Sequence, residues 1–244
     1  VTLTTEGETY IRYYSNDTLN NNESVKNQTI KIDKTVPNSI IAYPTSGLNL
    51  STNTSIQFNF SVSDSYSGIN SCYYSLNNGV TNTSLPSCSN TTINVSEGSI
   101  TLRLYVNDSV NNKNNSASVT FTTDLTNPNI NLTYPINTTY NINVSAINYT
   151  ASDTNLQACW YSTNAGTTNT SVSCGTNLTG LTSTEGSNTW LVGVNDSANN
   201  KNMSKVTFFK DTVYPLISYG TNTAVNYANL SQNWIYINTT WTEL

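Results

Sequence analysis

Ile100-Thr101-Leu102-Arg103-Leu104-Tyr105-Val106-Asn107 follows Glu97-Gly98 and leads into Asp108-Ser109. The same frame returns at Glu185-Gly186, with Trp190, Val192 and Val194 in place of Leu102, Leu104 and Val106, and ends at Asn195-Asp196-Ser197. Apolar side chains fall on every second residue. That period puts them on one face of an extended strand and turns the residues between them to the other. Ile56, Phe58, Phe60 and Val62 alternate in the same way with Gln57, Asn59, Ser61 and Ser63, and Ile147, Tyr149 and Ala151 repeat the pattern. Val119 with Phe121, and Val206 with Phe208, give the last strand of each copy. No window carries a helical period that survives its Asn, Gly and β-branched content. The sequence reads as all-β.

Around these strands the markers repeat at intervals of 86 to 91 residues. Glu6-Gly7, Glu97-Gly98 and Glu185-Gly186 form one series, and Asn16-Asp17-Thr18, Asn107-Asp108-Ser109 and Asn195-Asp196-Ser197 another. Pro37, Pro128 and Pro215 form a third; the first two run on into Tyr43-Pro44 and Tyr134-Pro135. This period suits one seven-stranded sandwich of roughly 100 residues or fewer and is too long for helical solenoid repeats or propeller blades. The expected division is residues 1–33 as the C-terminal part of one module, 34–124 and 125–211 as complete modules, and 212–244 as the start of a further one. Short Pro-containing junctions between such modules would make an elongated, semi-rigid rod. The Asp108 and Asp196 segments read as hairpin turns, with Asp forming an Asx-turn and Asn tolerating left-handed backbone.

Composition narrows the function. The chain has no His, one Met, 9 Lys plus Arg, and a net charge of -5. Without His the usual acid–base group near neutral pH is missing, and no nucleophile–base pair or phosphate loop stands out. No enzyme activity is expected. A basic patch is also lacking, which excludes nucleic-acid binding. Charged residues are 9% of the chain, against roughly 25% in ordinary soluble domains. Polarity comes instead from 41 Asn, 40 Thr and 31 Ser, while 16 Tyr, 5 Phe and 4 Trp supply core material. No run of 18 apolar residues suggests a membrane span. Nothing at the start reads as a signal peptide, so an interior piece of a longer chain is expected. The Asn content weighs against a hyperthermophilic source.

Cys72-Tyr73-Tyr74-Ser75-Leu76 with Cys88, Cys159-Trp160-Tyr161-Ser162-Thr163 with Cys174, the Glu-Gly and Asn-Asp-Ser/Thr signals and the Asp-x-x-x-Pro junctions together resemble the Ig-like, fibronectin-III-like repeats of large prokaryotic, especially archaeal, surface proteins. The resemblance covers the whole chain. It implies tandem Ig-like β-sandwich modules acting as spacers, or as units of a surface layer (S-layer), sheath or extracellular filament. The partners would be neighbouring copies of the chain or other surface-layer proteins. Asn111 and Asn199 stand where such repeats place Gly, and the last module opens with Tyr219-Gly220 rather than Tyr-Pro.

The four cysteines fall two per module in the same register. Two thiolates and no His cannot close a tetrahedral zinc site. Disulfides Cys72–Cys88 and Cys159–Cys174 are expected, with two free core thiols per module as the alternative. Such bonds imply an oxidising, extracellular location.

Asn-x-Ser/Thr occurs 21 times, against roughly 12 expected from composition, so the count alone says little. The register says more. Asn59, Asn148 and Asn238 share one strand position; Asn16, Asn107 and Asn195 share the hairpin; Asn49, Asn137 and Asn229 form a third family. Asn82 pairs with Asn169 and Asn90 with Asn177; Asn27, Asn114 and Asn202 complete the candidates for N-glycosylation. Asn59 alternates with Phe58 and Phe60 and so should point outward, as a glycan requires. Asp33, Asp124 and Asp211 precede the junction prolines, and Asp64 and Asp153 share a loop. Calcium sites are built from such acids, but each junction offers few of the six to eight oxygens calcium takes; Asx-turns are the preferred reading, and no cofactor is expected. Trp160 and Trp190 read as core residues. The expected role is a glycosylated structural stalk or subunit at the cell surface, with an adhesin for glycans or a partner cell as the alternative.

Overall fold

Each alternating segment forms a strand. The computed structural model describes residues 2–226 and 228–242; residues 1, 227, 243 and 244 of the two expected partial modules lie outside them. In chain order the strands are β1 (Gly7–Tyr13), β2 (Lys26–Ile32), β3 (Asn38–Tyr43), β4 (Asn49–Leu50), β5 (Ile56–Ser63), β6 (Ile69–Ser75) and β7 (Thr83–Leu85). They continue as β8 (Thr91–Ile93), β9 (Gly98–Asp108), β10 (Lys113–Asn114), β11 (Ser118–Thr123), β12 (Asn129–Tyr134), β13 (Thr139–Tyr140) and β14 (Ala146–Ser152). The last are β15 (Leu156–Ser162), β16 (Thr170–Val172), β17 (Leu178–Thr179), β18 (Gly186–Asp196), β19 (Lys201–Lys210), β20 (Leu216–Tyr219) and β21 (Thr239–Thr242). Among the described residues the only helical turn is a 3-10 turn at Pro86–Cys88, and no helix is long and apolar enough to cross a membrane. The fold is all-β, built from Ig-like sandwiches.

The chain forms two compact units. In the first, β3, β5 and β8 make one sheet, and β4, β11, β9, β6 and β7 make the other, with β10 paired to β9. The core lies between them: Ile56, Phe58, Phe60 and Ile93 from the smaller sheet, and Cys72, Leu85, Ile100, Leu102, Leu104, Val106 and Phe121 from the larger. All are buried, and all but Cys72, Leu85 and Ile93 sit on the alternating positions read from the sequence. Ahead of this sandwich β1 and β2 pair antiparallel along seven rungs, from Gly7 opposite Ile32 to Tyr13 opposite Lys26.

In the second unit β12, β14 and β17 form one sheet and β13, β19, β18, β15 and β16 the other, around Val144, Ile147, Tyr149, Trp190, Val192 and Phe208. The two cores are filled differently. Phe58 in the smaller sheet and Leu102 in the larger are replaced by Ile147 and Trp190, so the bulky side chain moves to the opposite sheet. Trp190 packs edge-on against Phe208 at 5.1 Å between ring centroids, and Phe208 against Tyr140 at 5.6 Å. Asn188 takes the place of Ile100. Its burial is tolerated because its amide nitrogen donates to the Thr184 and Gly186 carbonyls and its oxygen accepts from the Thr184 N–H.

Trp160 corrects an expectation. Cys159 points into the core, so its neighbour points out. Trp160 is half-buried on the outer face and lies over Gly193 of the adjacent strand, where any Cβ would collide with the indole. The two-residue strands β4 and β13 pair parallel with β11 and β19, carrying the first strand of each module over to the second sheet. Past the last residues of the sandwich β20 and β21 pair from Leu216 opposite Thr242 to Tyr219 opposite Thr239.

Candidate functional site

The repeated polar residues converge on the linker that follows each last strand. Glu6 accepts the Lys34 N–H and the Thr35 hydroxyl. Glu97 accepts the Leu125 N–H at 3.1 Å and the Thr126 hydroxyl at 3.2 Å. Glu185 accepts the Thr212 N–H at 2.7 Å and its hydroxyl at 2.8 Å. Each Glu is thus a staple that fixes the chain leaving the sheet 27 to 29 residues later. The glycine beside it lets the strand begin there, since Gly7, Gly98 and Gly186 have φ of +109°, +110° and +87°, which L side chains rarely adopt. Asp33, Asp124 and Asp211 add an Asx-turn, accepting the N–H of Thr35, Thr126 and Val213 respectively.

At the first of these linkers Asp33, Asp64 and Asp108 each bring one carboxylate oxygen within 4.8 Å of the others. They are the residues that could hold a cation. N–H donors already meet all three. Asp64 accepts from Tyr66, Ser67 and Gly68, and Asp33 also accepts from Ser67. Asp108 is 1% exposed and accepts from the N–H of Val110 and Asn112 and from the Asn112 amide. Asp17 holds the first hairpin with the equivalent bonds from Leu19 and Asn21. In both turns, and at Asn199, the fourth residue is left-handed: Asn20, Asn111 and Asn199 have φ of 66°, 72° and 69°. Asn tolerates this left-handed backbone better than most residues with a side chain.

These bonds set a pH dependence. Burial alone would raise the Asp108 carboxyl, but the Asn112 and Val110 donors outweigh it and hold it below its ordinary value. Asp17 is lowered by the Asn21 amide, Glu6 first by the Thr35 hydroxyl, and Glu185 first by the Thr212 N–H. With folded values depressed, the unfolded chain binds more protons as the pH falls through about 4. The stabilisation is complete above that range and is lost below it as the folded groups protonate. Thermal melts should show a plateau above about pH 5 and a falling Tm from about pH 4 downward; a Tm at pH 3 equal to that at pH 7 rules this out.

Two asparagines clamp the linkers from the other side. Asn114 donates its amide Nδ2–H to the Pro37 carbonyl at 2.7 Å, and Asn202 to the Pro128 carbonyl at 2.9 Å. Asn112 likewise reaches the Asp33 carbonyl at 3.3 Å. The sequence reading missed these roles; the signal that marks them is the recurrence of Lys113-Asn114 as Lys201-Asn202 after each hairpin. Asn114→Ala should destabilise the first sandwich by about 1 kcal/mol, the usual worth of one such bond. Urea titration measures it, and an unchanged midpoint counts against the clamp.

The cysteines join as Cys72–Cys88 and Cys159–Cys174 and none is free. Of the sequon asparagines, Asn16, Asn27, Asn49, Asn82, Asn90, Asn137, Asn169, Asn177, Asn202 and Asn229 are exposed. Asn59, Asn107, Asn114, Asn148, Asn195 and Asn238 are half-buried.

No family model matches the chain and no curated protein matches it. Solved structures similar to it include fibronectin(III)-like modules of Clostridium thermocellum CbhA, at 17% identity, TM-score 0.47, and coverage of 71% of this chain and 94% of that one. Extracellular domains 3–5 of Drosophila OTK match at 14% identity and TM-score 0.45 over 78% of this chain and 67% of that one. A tetra-tandem repeat from the extending region of a large adhesion protein matches at 14% identity and TM-score 0.33 over 89% of this chain and 60% of that one.

Proposed function

We propose that this chain is a structural, non-catalytic segment of an exported prokaryotic surface protein: a glycosylated stalk, or part of a surface layer or extracellular filament whose neighbours are copies of itself. The observation that carries the reading is the recurrence of the linker staple. Glu6, Glu97 and Glu185 each fix a Thr at the start of the next segment, beside an Asp that caps the same turn. What the repeat keeps in register is the anchoring of the chain that leaves each last strand, not a set of reactive groups. Two disulfides fit an oxidising, extracytoplasmic setting.

Exposed Trp234, Tyr236 and Trp241 favour a second reading, an adhesin with an aromatic binding surface. The register weakens it. Trp241 lies opposite Ile217 as Val62 lies opposite Ser39, a position that faces the core in the complete sandwich. Immunogold labelling of intact source cells with antibodies to residues 34–211 tests the structural reading. Dense surface label is expected, and bare intact cells whose thin sections label in the cytoplasm would refute it.

A further inference from the structure

At two sequons in equivalent positions the amide is held to its sheet through the oxygen. Asn90 directly precedes β8, the edge strand of its sheet, and Asn177 directly precedes β17, the edge strand of the matching sheet. The Asn90 Oδ1 accepts the Phe60 N–H at 2.9 Å, and the Asn177 Oδ1 accepts the Tyr149 N–H at 3.2 Å. Phe60 and Tyr149 are core residues of the middle strands, so each bond ties the asparagine to the sheet through its oxygen. The nitrogen, which is the atom a glycan joins, is not used in these bonds, and both residues are exposed. At Asn114 and Asn202 the opposite holds: the nitrogen is packed against a proline carbonyl. A glycan there would take one of the amide hydrogens and place a sugar ring at an atom already in contact with the linker.

The edges at Asn90 and Asn177 also need cover. Edge strands expose unpaired backbone groups and are ordinarily guarded by Lys, Pro or a bulge. Thr91–Ile93 and Leu178–Thr179 contain no charged residue and no proline. Resting on the glycosylated-coat reading above, we infer that Asn90 and Asn177 carry N-linked glycans on oxygen-anchored side chains, which shield the free edge of the smaller sheet in each sandwich, while Asn114 and Asn202 stay unmodified as linker clamps.

Glycopeptide mass spectrometry of the protein purified from its own cells tests this site by site. Glycan mass is expected on the peptides of Asn90 and Asn177 and bare asparagine at 114 and 202. A glycan at Asn114 or Asn202, or a bare Asn90 or Asn177 beside other occupied sequons, overturns the assignment. A chain with no glycan at any sequon overturns the coat reading itself, which is a different result. For the shielding, Thr92→Ala with Thr179→Ala removes both sequons and leaves the two asparagines and their bonds in place. The double variant should keep the Tm of the parent and sediment as dimers or larger species at concentrations where the parent is monomeric. Monomeric behaviour of the folded variant rejects the shielding.

Discussion

Replacing Trp190 by Ala is expected to cost the second sandwich about 3–5 kcal/mol, as for other fully buried large aromatics. An Ig-like sandwich of this size has about 4–13 kcal/mol to lose, so the Tm of its transition should fall by roughly 12 °C or more. Trp190 is 0% exposed and stands edge-on to Phe208 in a run of rings that continues through Tyr140 to Tyr134. Removing the indole leaves a cavity that the strands cannot close, because β18 is held on both sides by β15 and β19.

The first sandwich shows how the same space is filled otherwise. There Leu102 occupies the position of Trp190, and Phe58 faces the core from the position of Ile147. Trp190→Leu should therefore destabilise, Ile147→Phe alone should overpack by about 1–3 kcal/mol, and the two together should be less costly than their sum by about 0.5–3 kcal/mol. Additive losses in a double-mutant cycle, read by chemical denaturation, would show that the two positions do not share one volume.

These cores were legible in the sequence because alternation encodes them directly: Phe58, Leu102, Ile147 and Trp190 all lie on the positions a period of two selects. Trp160 departs from its core reading because alternation from the inward-facing Cys159 turns it to the outer face. The linker was less legible. Glu97 is visible as a repeated residue, but nothing local pairs it with Thr126, 29 positions on. Asn114 reaches Pro37 across 77 positions, and its sequon hides the bond by offering a competing use for the same nitrogen. β4 and β13 are two residues long, too short to carry any period; backbone bonds join them parallel to β11 and β19, and Leu50 and Tyr140 pack against the cores. The cluster of Asp33, Asp64 and Asp108 gathers three separate Asx-turns, each readable alone, whose meeting is a product of the fold.

Breaking the Cys72–Cys88 bond should cost the first sandwich about 3 kcal/mol, the chain-entropy value for a loop closed across 16 residues. That corresponds to a fall in Tm of roughly 12 to 24 °C. The segment it ties is held to the sheets by short strands. β7 has three rungs with β6, and β8 three with β5, yet between them they carry Leu85 and Ile93, both buried in the core. Without the tether these two side chains depend on six rungs to stay in place, so the loss should reach the whole core rather than one loop. Cys72 is itself buried, and Ser there would leave a hydroxyl without a partner; Cys72→Ala with Cys88→Ser avoids that second cost. The reductant distinguishes the two bonds: it should lower both transitions in the parent, and in the variant only that of the sandwich holding Cys159–Cys174. A variant that melts within about 2 °C of the oxidised parent, well inside the shift expected for even 1 kcal/mol, would show that sheet packing alone holds the segment.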